Sequence, residues 1–316
     1  MRLTDHWPAY LALSPEEWNH RIAAARAMLK SCTLCPRECK VDRLAGEKGV
    51  CRAGAVAQVS SCNDHHGEEP PLSGTRGSGT IFFTHCNLRC VFCQNYPISH
   101  LGNGEVAGAE ELADMMLKLQ RRGCHNINFV TPTHMMPFIL EALPLAINKG
   151  LAIPLVYNCG GYESLDSLRL LDNVVDIYLP DMKYDDNSAA KMISKVEDYV
   201  EKNREAIREM HRQVGDLALD GHGIARRGLI IRHLVLPHNL AGSAGVLAFI
   251  AREISVHTAI SLMSQYFPAH KAHEIEQLSR GVTKEEYRDA VRALLRLRLE
   301  NAWIQDRWGI SGGEEE

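Results

Sequence analysis

The sequence predicts an α/β fold built on a parallel sheet, and three observations lead there. Short β-branched or aromatic runs alternate with longer stretches of helical periodicity over most of the 316 residues, which sets successive strands side by side through right-handed crossovers. Nearly every such run ends in side chains able to ligate or hydrogen-bond: His85 and Cys86, Thr131 to His134, Asn158 and Cys159, Asp181 and Lys183, His238 and Asn239, Gln265 and Tyr266. With 45% hydrophobic residues the chain can bury one sizeable core or two smaller ones. A doubly wound sheet and a barrel both satisfy the alternation. The shared polar ends favour the barrel, whose strand carboxyl ends converge on one mouth.

Taken in order, Ser14-Pro15-Glu16-Glu17 is a helix start, with serine as cap, proline in the first turn and acids at the positive dipole end. That helix runs to about Lys30. A cysteine-rich loop follows from Cys32 to Cys51, and then the polar, broken stretch 61–79, expected to be irregular and packed over the barrel mouth. Six strands are expected at 80–85, 126–130, 153–158, 175–180, 229–236 and 258–266. Helices are expected at 109–123, 136–150, 243–254 and 284–303, with one exposed helix over 188–214 in the longest crossover. The division that results is an N-terminal helix and cysteine-rich extension over 1–75, a barrel over 76–310, and a disordered tail over 311–316.

The net charge of −4 gives no global attraction to nucleic acid or anionic lipid. No run of about 18 apolar residues occurs, and residues 1–18 do not resemble a secretory leader. A soluble cytoplasmic protein without nucleic-acid or membrane partners is expected.

Ten cysteines without a leader argue for reduced thiols used as metal ligands. Cys86, Cys90 and Cys93 follow the first expected strand with the spacing C-x3-C-x2-C. A cubane iron-sulfur cluster has four irons, each wanting a thiolate, so three cysteines leave one iron open to an exchangeable ligand. A zinc knuckle, or an electron-transfer cluster completed by a distant cysteine, would use the same residues. Cys32, Cys35, Cys39 and Cys51 form a second set, C-x2-C-x3-C-x11-C, able to saturate a tetrahedral zinc or to bind a second iron-sulfur cluster. Cys62, Cys124 and Cys159 are isolated, and Cys124 reads as a small buried hydrophobe.

The segment THCNLRCVFCQN resembles the radical S-adenosylmethionine (radical SAM) superfamily. With CTLCPRECKVDRLAGEKGVC, YNCGGYE and VDIYLPDMKYDD added, the chain resembles homologues of pyruvate formate-lyase activating enzyme, with an extra N-terminal four-cysteine loop. The resemblance implies a partial (β/α)6 TIM-like barrel, and a [4Fe-4S] cluster on Cys86, Cys90 and Cys93 whose open iron is chelated by SAM. It further implies Phe92 beside the cluster, Asn158 near the nucleoside or substrate, and Lys183, steadied by Asp181, at the SAM carboxylate. Where relatives carry a Gly-Gly-Glu turn for the SAM amino group, this chain has Thr131-Pro132-Thr133-His134, and Thr131 and Thr133 are the candidate substitutes. The activity implied is reductive cleavage of SAM and hydrogen abstraction from substrate, with an electron donor such as flavodoxin or ferredoxin. The substrate is a glycyl radical enzyme, another protein side chain or a small molecule. The reading from another class is a non-enzymatic iron-sulfur or zinc protein.

Overall fold

The computed structural model describes residues 7–305, so the expected tail over 311–316 lies outside the described residues. Among the described residues ten strands form one sheet: β1 (Ala57–His65), β2 (Ser78–Phe83), β3 (Glu105–Ala107), β4 (Ile127–Val130), β5 (Leu155–Cys159), β6 (Ile177–Pro180), β7 (Ala218–Leu219), β8 (Ala225–Leu234), β9 (Ala259–Met263) and β10 (Ala302–Ile304). The main path runs β3-β1-β2-β4-β5-β6-β8-β9-β10, with β7 paired to β8. The six expected strands are β2, β4, β5, β6, β8 and β9, adjacent in that order and parallel throughout. Their path is open, with β1 on one side and β10 on the other, so the α/β sheet is a partial barrel.

Side-chain alternation divides the two faces of this sheet. Val156, Ile177, Leu179, Ala225, Ile230 and Ala259 form one small apolar cluster. Phe129, Tyr157, Tyr178, Leu229, Ile231, Ile260 and Leu262 belong to the large core shared with the helices. Along β8, Ile230 therefore shares its face with Arg232 and Leu234.

Three expectations about the connections change. The stretch 61–79 was expected to be irregular above the mouth, yet its start lies in β1, because Cys62 to His65 pair antiparallel with Ser78 to Ile81 and the ladder satisfies a polar backbone. Pro70–Ser73 then forms a helical turn whose Leu72, fully buried, joins the small apolar cluster. The segment thus fills the barrel rather than covering it.

The one exposed helix over 188–214 is two helices, Asn187–Ser194 and Tyr199–Val214, each burying a face. Asp186 caps the first by accepting from the N–H groups of Ser188 and Ala189, and Lys195 ends it in the left-handed region. This break leaves the Ile193 carbonyl free to accept from Val91 N–H at 2.9 Å. The helix expected over 284–303 stops at Arg296, and Ala302–Ile304 pairs parallel with β9.

The first helix, Pro15–Ala27, is capped by Ser14 as expected, with Glu17 completing a capping box, and it stops short of the expected Lys30. Ahead of it, Ala9 N–H donates to Asp176 at 3.0 Å and Tyr10 OH to the Ile153 carbonyl at 2.8 Å. These residues precede β5 and β6, so the N-terminal segment crosses the end of the barrel opposite the mouth. Among the described residues no helix is long and apolar enough to cross a membrane.

Candidate iron-sulfur and SAM site

The three-cysteine loop begins where β2 ends. His85 turns the chain with a left-handed φ of 66°, and its N–H donates to the Ile98 carbonyl at 3.0 Å. Leu88 N–H donates to Cys86 Sγ at 3.4 Å. Cys90 Sγ and Ser194 Oγ share a hydrogen bond of 2.9 Å, as do Cys93 Sγ and Ser99 Oγ at 3.1 Å. Burial raises the pKa of Cys86 and Cys90, while the nearby Lys183 charge pulls Cys90 back down. Donors around each sulfur and a local cation suit these cysteines to holding a metal as thiolates.

A cavity beside the loop is lined by Phe92, Asp181, Lys183, Leu234, Leu236 and Met263. Three expected site residues, from two separate segments, therefore meet. Phe92 packs edge-on against Tyr266, with ring centroids 5.6 Å apart. Lys183 and Asp181 form an ion pair. Burial opposes the lysine's charge, but Asp181 and the neighbouring Cys90 raise its pKa overall, so it is a cation at any ordinary pH.

The Asn158–Gly161 turn is packed directly behind. Gly161 has a φ of 72°, and a Cβ there would lie 2.1 Å from the Asp181 carbonyl oxygen, so glycine is required. Asn203 ties both turns by donating to the carbonyls of Gly161 at 2.9 Å and Asp181 at 3.0 Å.

The other expected residues divide. Thr131 adopts a left-handed φ of 59° and donates its N–H to the Asn158 carbonyl at 2.8 Å, which places it beside Asn158. Thr133 is buried, and its hydroxyl donates to Glu163 Oε1 at 2.7 Å, so its donor is already committed. Cys159 is buried in the same neighbourhood and raised well above an ordinary thiol by burial and by Glu163, which makes it a poor nucleophile. Cys124 is buried, as expected.

Sequence reasoning missed Arg232, Glu68, Glu69, Glu163 and Ser194. Arg232 Nε donates to Glu69 Oε1 at 2.7 Å, Nη1 donates to Asn158 Oδ1 at 3.4 Å, and the guanidinium also pairs with Glu68. Sharing a face with Leu234, this network lies beneath the cavity. A lone arginine inside the apolar run of β8 was the available signal. Ser194 and Glu163 offered none, since contacts made across the fold bring them to the site.

Among the described residues, no three His, Cys, Asp or Glu side chains close around one point as the ligands of a single ion do. Ligands of a polynuclear cluster bind different irons and stand further apart. A larger surface cavity, lined by Arg76, His125, Asp220 and His222 among others, lies by the amino ends of β2, β4 and β8, away from the cysteines.

Comparison with known proteins places the chain in a family. The profile of the radical SAM superfamily matches residues 80–222. Uncharacterized protein MJ0674 of Methanocaldococcus jannaschii is 32% identical over 289 residues, covering 88% of this chain and 78% of that protein. The chain belongs to the radical SAM superfamily, whose members use a [4Fe-4S] cluster and SAM. Among solved structures, HydG, a maturase of the [FeFe]-hydrogenase, aligns over 93% of this chain with 12% identity and a TM-score of 0.50, a likeness of fold. This chain spans 57% of that structure and 51% of HydG from Carboxydothermus hydrogenoformans, which aligns at 14% identity over 71% of this chain with a TM-score of 0.48. Methylornithine synthase (PylB) aligns at 12% identity over 93% of this chain and 72% of its own, with a TM-score of 0.46.

Proposed function

We propose that this chain is a radical SAM oxidoreductase in which Cys86, Cys90 and Cys93 hold the [4Fe-4S] cluster and the adjoining cavity takes SAM. The observation that carries the reading is the meeting of the three-cysteine loop with Lys183, Asp181 and Phe92 around one cavity at the strand carboxyl ends. When bound, the cluster and SAM together supply a one-electron cleavage that yields a 5'-deoxyadenosyl radical and leads to hydrogen abstraction from substrate.

The chain's own residues have positional tasks. Lys183 supplies a fixed cation for the SAM carboxylate, and Asp181 restrains it. Phe92, Leu234, Leu236 and Met263 give an apolar wall that excludes water. Asn158 and the backbone around Thr131 offer polar groups one turn away. The Ser194 and Ser99 hydroxyls can donate to cysteine sulfur, which tunes the potential of a bound cluster. A flavodoxin or ferredoxin is the class of donor that fits this chemistry.

As to what is acted upon, we favour a small molecule or a protein side chain other than a backbone glycine. Asp181-Met182-Lys183 matches the activating enzymes, but the Thr131-to-His134 turn departs from them, and its Thr133 hydroxyl is engaged with Glu163. Activation of a glycyl radical enzyme is the alternative. Under anaerobic conditions with dithionite and SAM, the protein is expected to form 5'-deoxyadenosine and Cys90→Ala is not. Equal product from both would remove the proposal.

A further inference from the structure

A second cavity, distinct from the one at Lys183, is lined by Cys32, Cys35, Cys39 and Cys51 together with Arg43 and His134. None of the four cysteines is in a disulfide, and all but Cys39 are buried. Backbone donors already point at their sulfurs. Val50 N–H donates to Cys39 Sγ at 3.4 Å, and the N–H groups of Arg37 and Ala53 donate to Cys35 and Cys51, each two residues beyond its cysteine. Donors of this kind orient and stabilise sulfur bound to a metal. Gly49 permits the approach, since a Cβ there would meet Cys39 Sγ at 2.8 Å.

Two features of the wall are unexplained by the protein alone. The Arg43 side chain is 1% exposed, yet among the described residues its guanidinium pairs with no carboxylate and lies over the Phe138 ring, 5.7 Å from its centroid. It donates to the Gly54 carbonyl at 2.9 and 2.5 Å and to the His134 carbonyl at 2.9 Å. A buried cation without a counter-charge is costly. His134 is equally buried, and its Nε2–H donates to the Thr84 carbonyl at 2.7 Å. That leaves Nδ1 a bare acceptor, buried and without a hydrogen-bond partner. An anionic metal-thiolate centre answers the first, and a metal or a thiol proton answers the second.

The spread of the sulfurs separates zinc from a cluster. Four zinc ligands converge on one ion at about 2.3 Å each. Among the described residues, no three of these cysteines close on one point. Sulfurs bound to the separate irons of a cubane stand apart in this way.

We propose that Cys32, Cys35, Cys39 and Cys51 are the four ligands of a second [4Fe-4S] cluster, with every iron closed by protein and Arg43 as its buried counter-charge. It adjoins the first site through Asn87, which lines this cavity and follows Cys86 in the chain. Arg37 Nε donates to the Asn87 carbonyl at 3.0 Å and joins the two loops.

The test is iron, sulfide and zinc analysis of the full chain after anaerobic reconstitution with ferrous iron and sulfide. About eight irons and eight sulfides per chain are expected. A Cys35→Ser/Cys51→Ser double variant should halve both while keeping the SAM-dependent change in the electron paramagnetic resonance signal. A Cys90→Ala/Cys93→Ala variant should also halve the iron but lose that change. About one zinc with only four irons in the wild-type chain would overturn the proposal, as would full iron in the Cys35/Cys51 variant. Should that variant fail to fold, the Cys90→Ala/Cys93→Ala variant decides, and its loss of all iron overturns the proposal. If the wild-type chain holds four irons that only the Cys35/Cys51 variant loses, with no response to SAM, the functional proposal falls and this one stands.

Discussion

Cys86, Cys90 and Cys93 sit at the carboxyl ends of parallel strands beside a cavity with a lysine and an aspartate in its wall, whereas Cys32, Cys35, Cys39 and Cys51 surround a space walled by Arg43 and His134. In the first region Cys90 shares a hydrogen bond with the Ser194 hydroxyl from across the fold and Cys93 with that of Ser99, while Cys86 accepts from Leu88 N–H in its own loop. In the second the sulfurs are bonded by backbone N–H groups from their own loop. A loop that supplies its own donors and all four ligands can close a metal site unaided. One that supplies three ligands depends on the barrel for the rest, and that dependence leaves a position for a second molecule.

This contrast can be tested from its strongest point downward. Replacing Lys183 with Ala should weaken SAM binding by roughly 10- to 100-fold, the loss expected for one charge-assisted contact of about 1.5–3 kcal/mol, while leaving iron content unchanged. Calorimetric titration of the reconstituted protein reads the affinity. An unchanged affinity would mean that the mouth is not organised around this cation.

Glu163 stands between the two regions, bonded to Thr133 and Tyr157 and close enough for its charge to act on Cys35. Burial raises it to about 7 from an ordinary 4.5, against the opposing pull of its hydrogen bonds. The fold therefore prefers the protonated form. The associated stability is fully present below about pH 4.5 and is lost as pH rises through 7. In urea titrations of the metal-free chain at pH 5 and pH 8, Glu163→Gln should flatten this decline by about 2 kcal/mol. An identical slope in both proteins would show that Glu163 does not carry this pH dependence.

The smallest effect belongs to Ser194. Ser194→Ala removes one hydroxyl from Cys90 and should cost about 1 kcal/mol of stability. It should also make the reduction potential of the mouth cluster more negative, because the reduced, more anionic state loses a donor. A potentiometric titration followed by electron paramagnetic resonance would measure this, and the N-terminal centre should not respond.

Much of this was legible in the chain. Local signals marked the six parallel strands, the capped first helix and both cysteine sets, because strand periodicity, capping and ligand spacing depend on neighbours a few residues apart. Lys183, Asp181 and Phe92 were nameable through family likeness, and the structure brings them to one cavity. Long-range packing decided the rest. Stretch 61–79 looked irregular until β2 gave β1 a partner, and helix 188–214 looked continuous until its break was seen to serve the cluster loop. Thr133 looked available until Glu163 took its hydroxyl, and Arg232 acquired a role once Glu68, Glu69 and Asn158 surrounded it. The sequence by itself determined which residues can bind metal and where strands and helices begin. The tertiary structure alone decided which polar groups remain free at the mouth, because a hydrogen bond or ion pair between distant segments forms only when the fold sets both partners within reach.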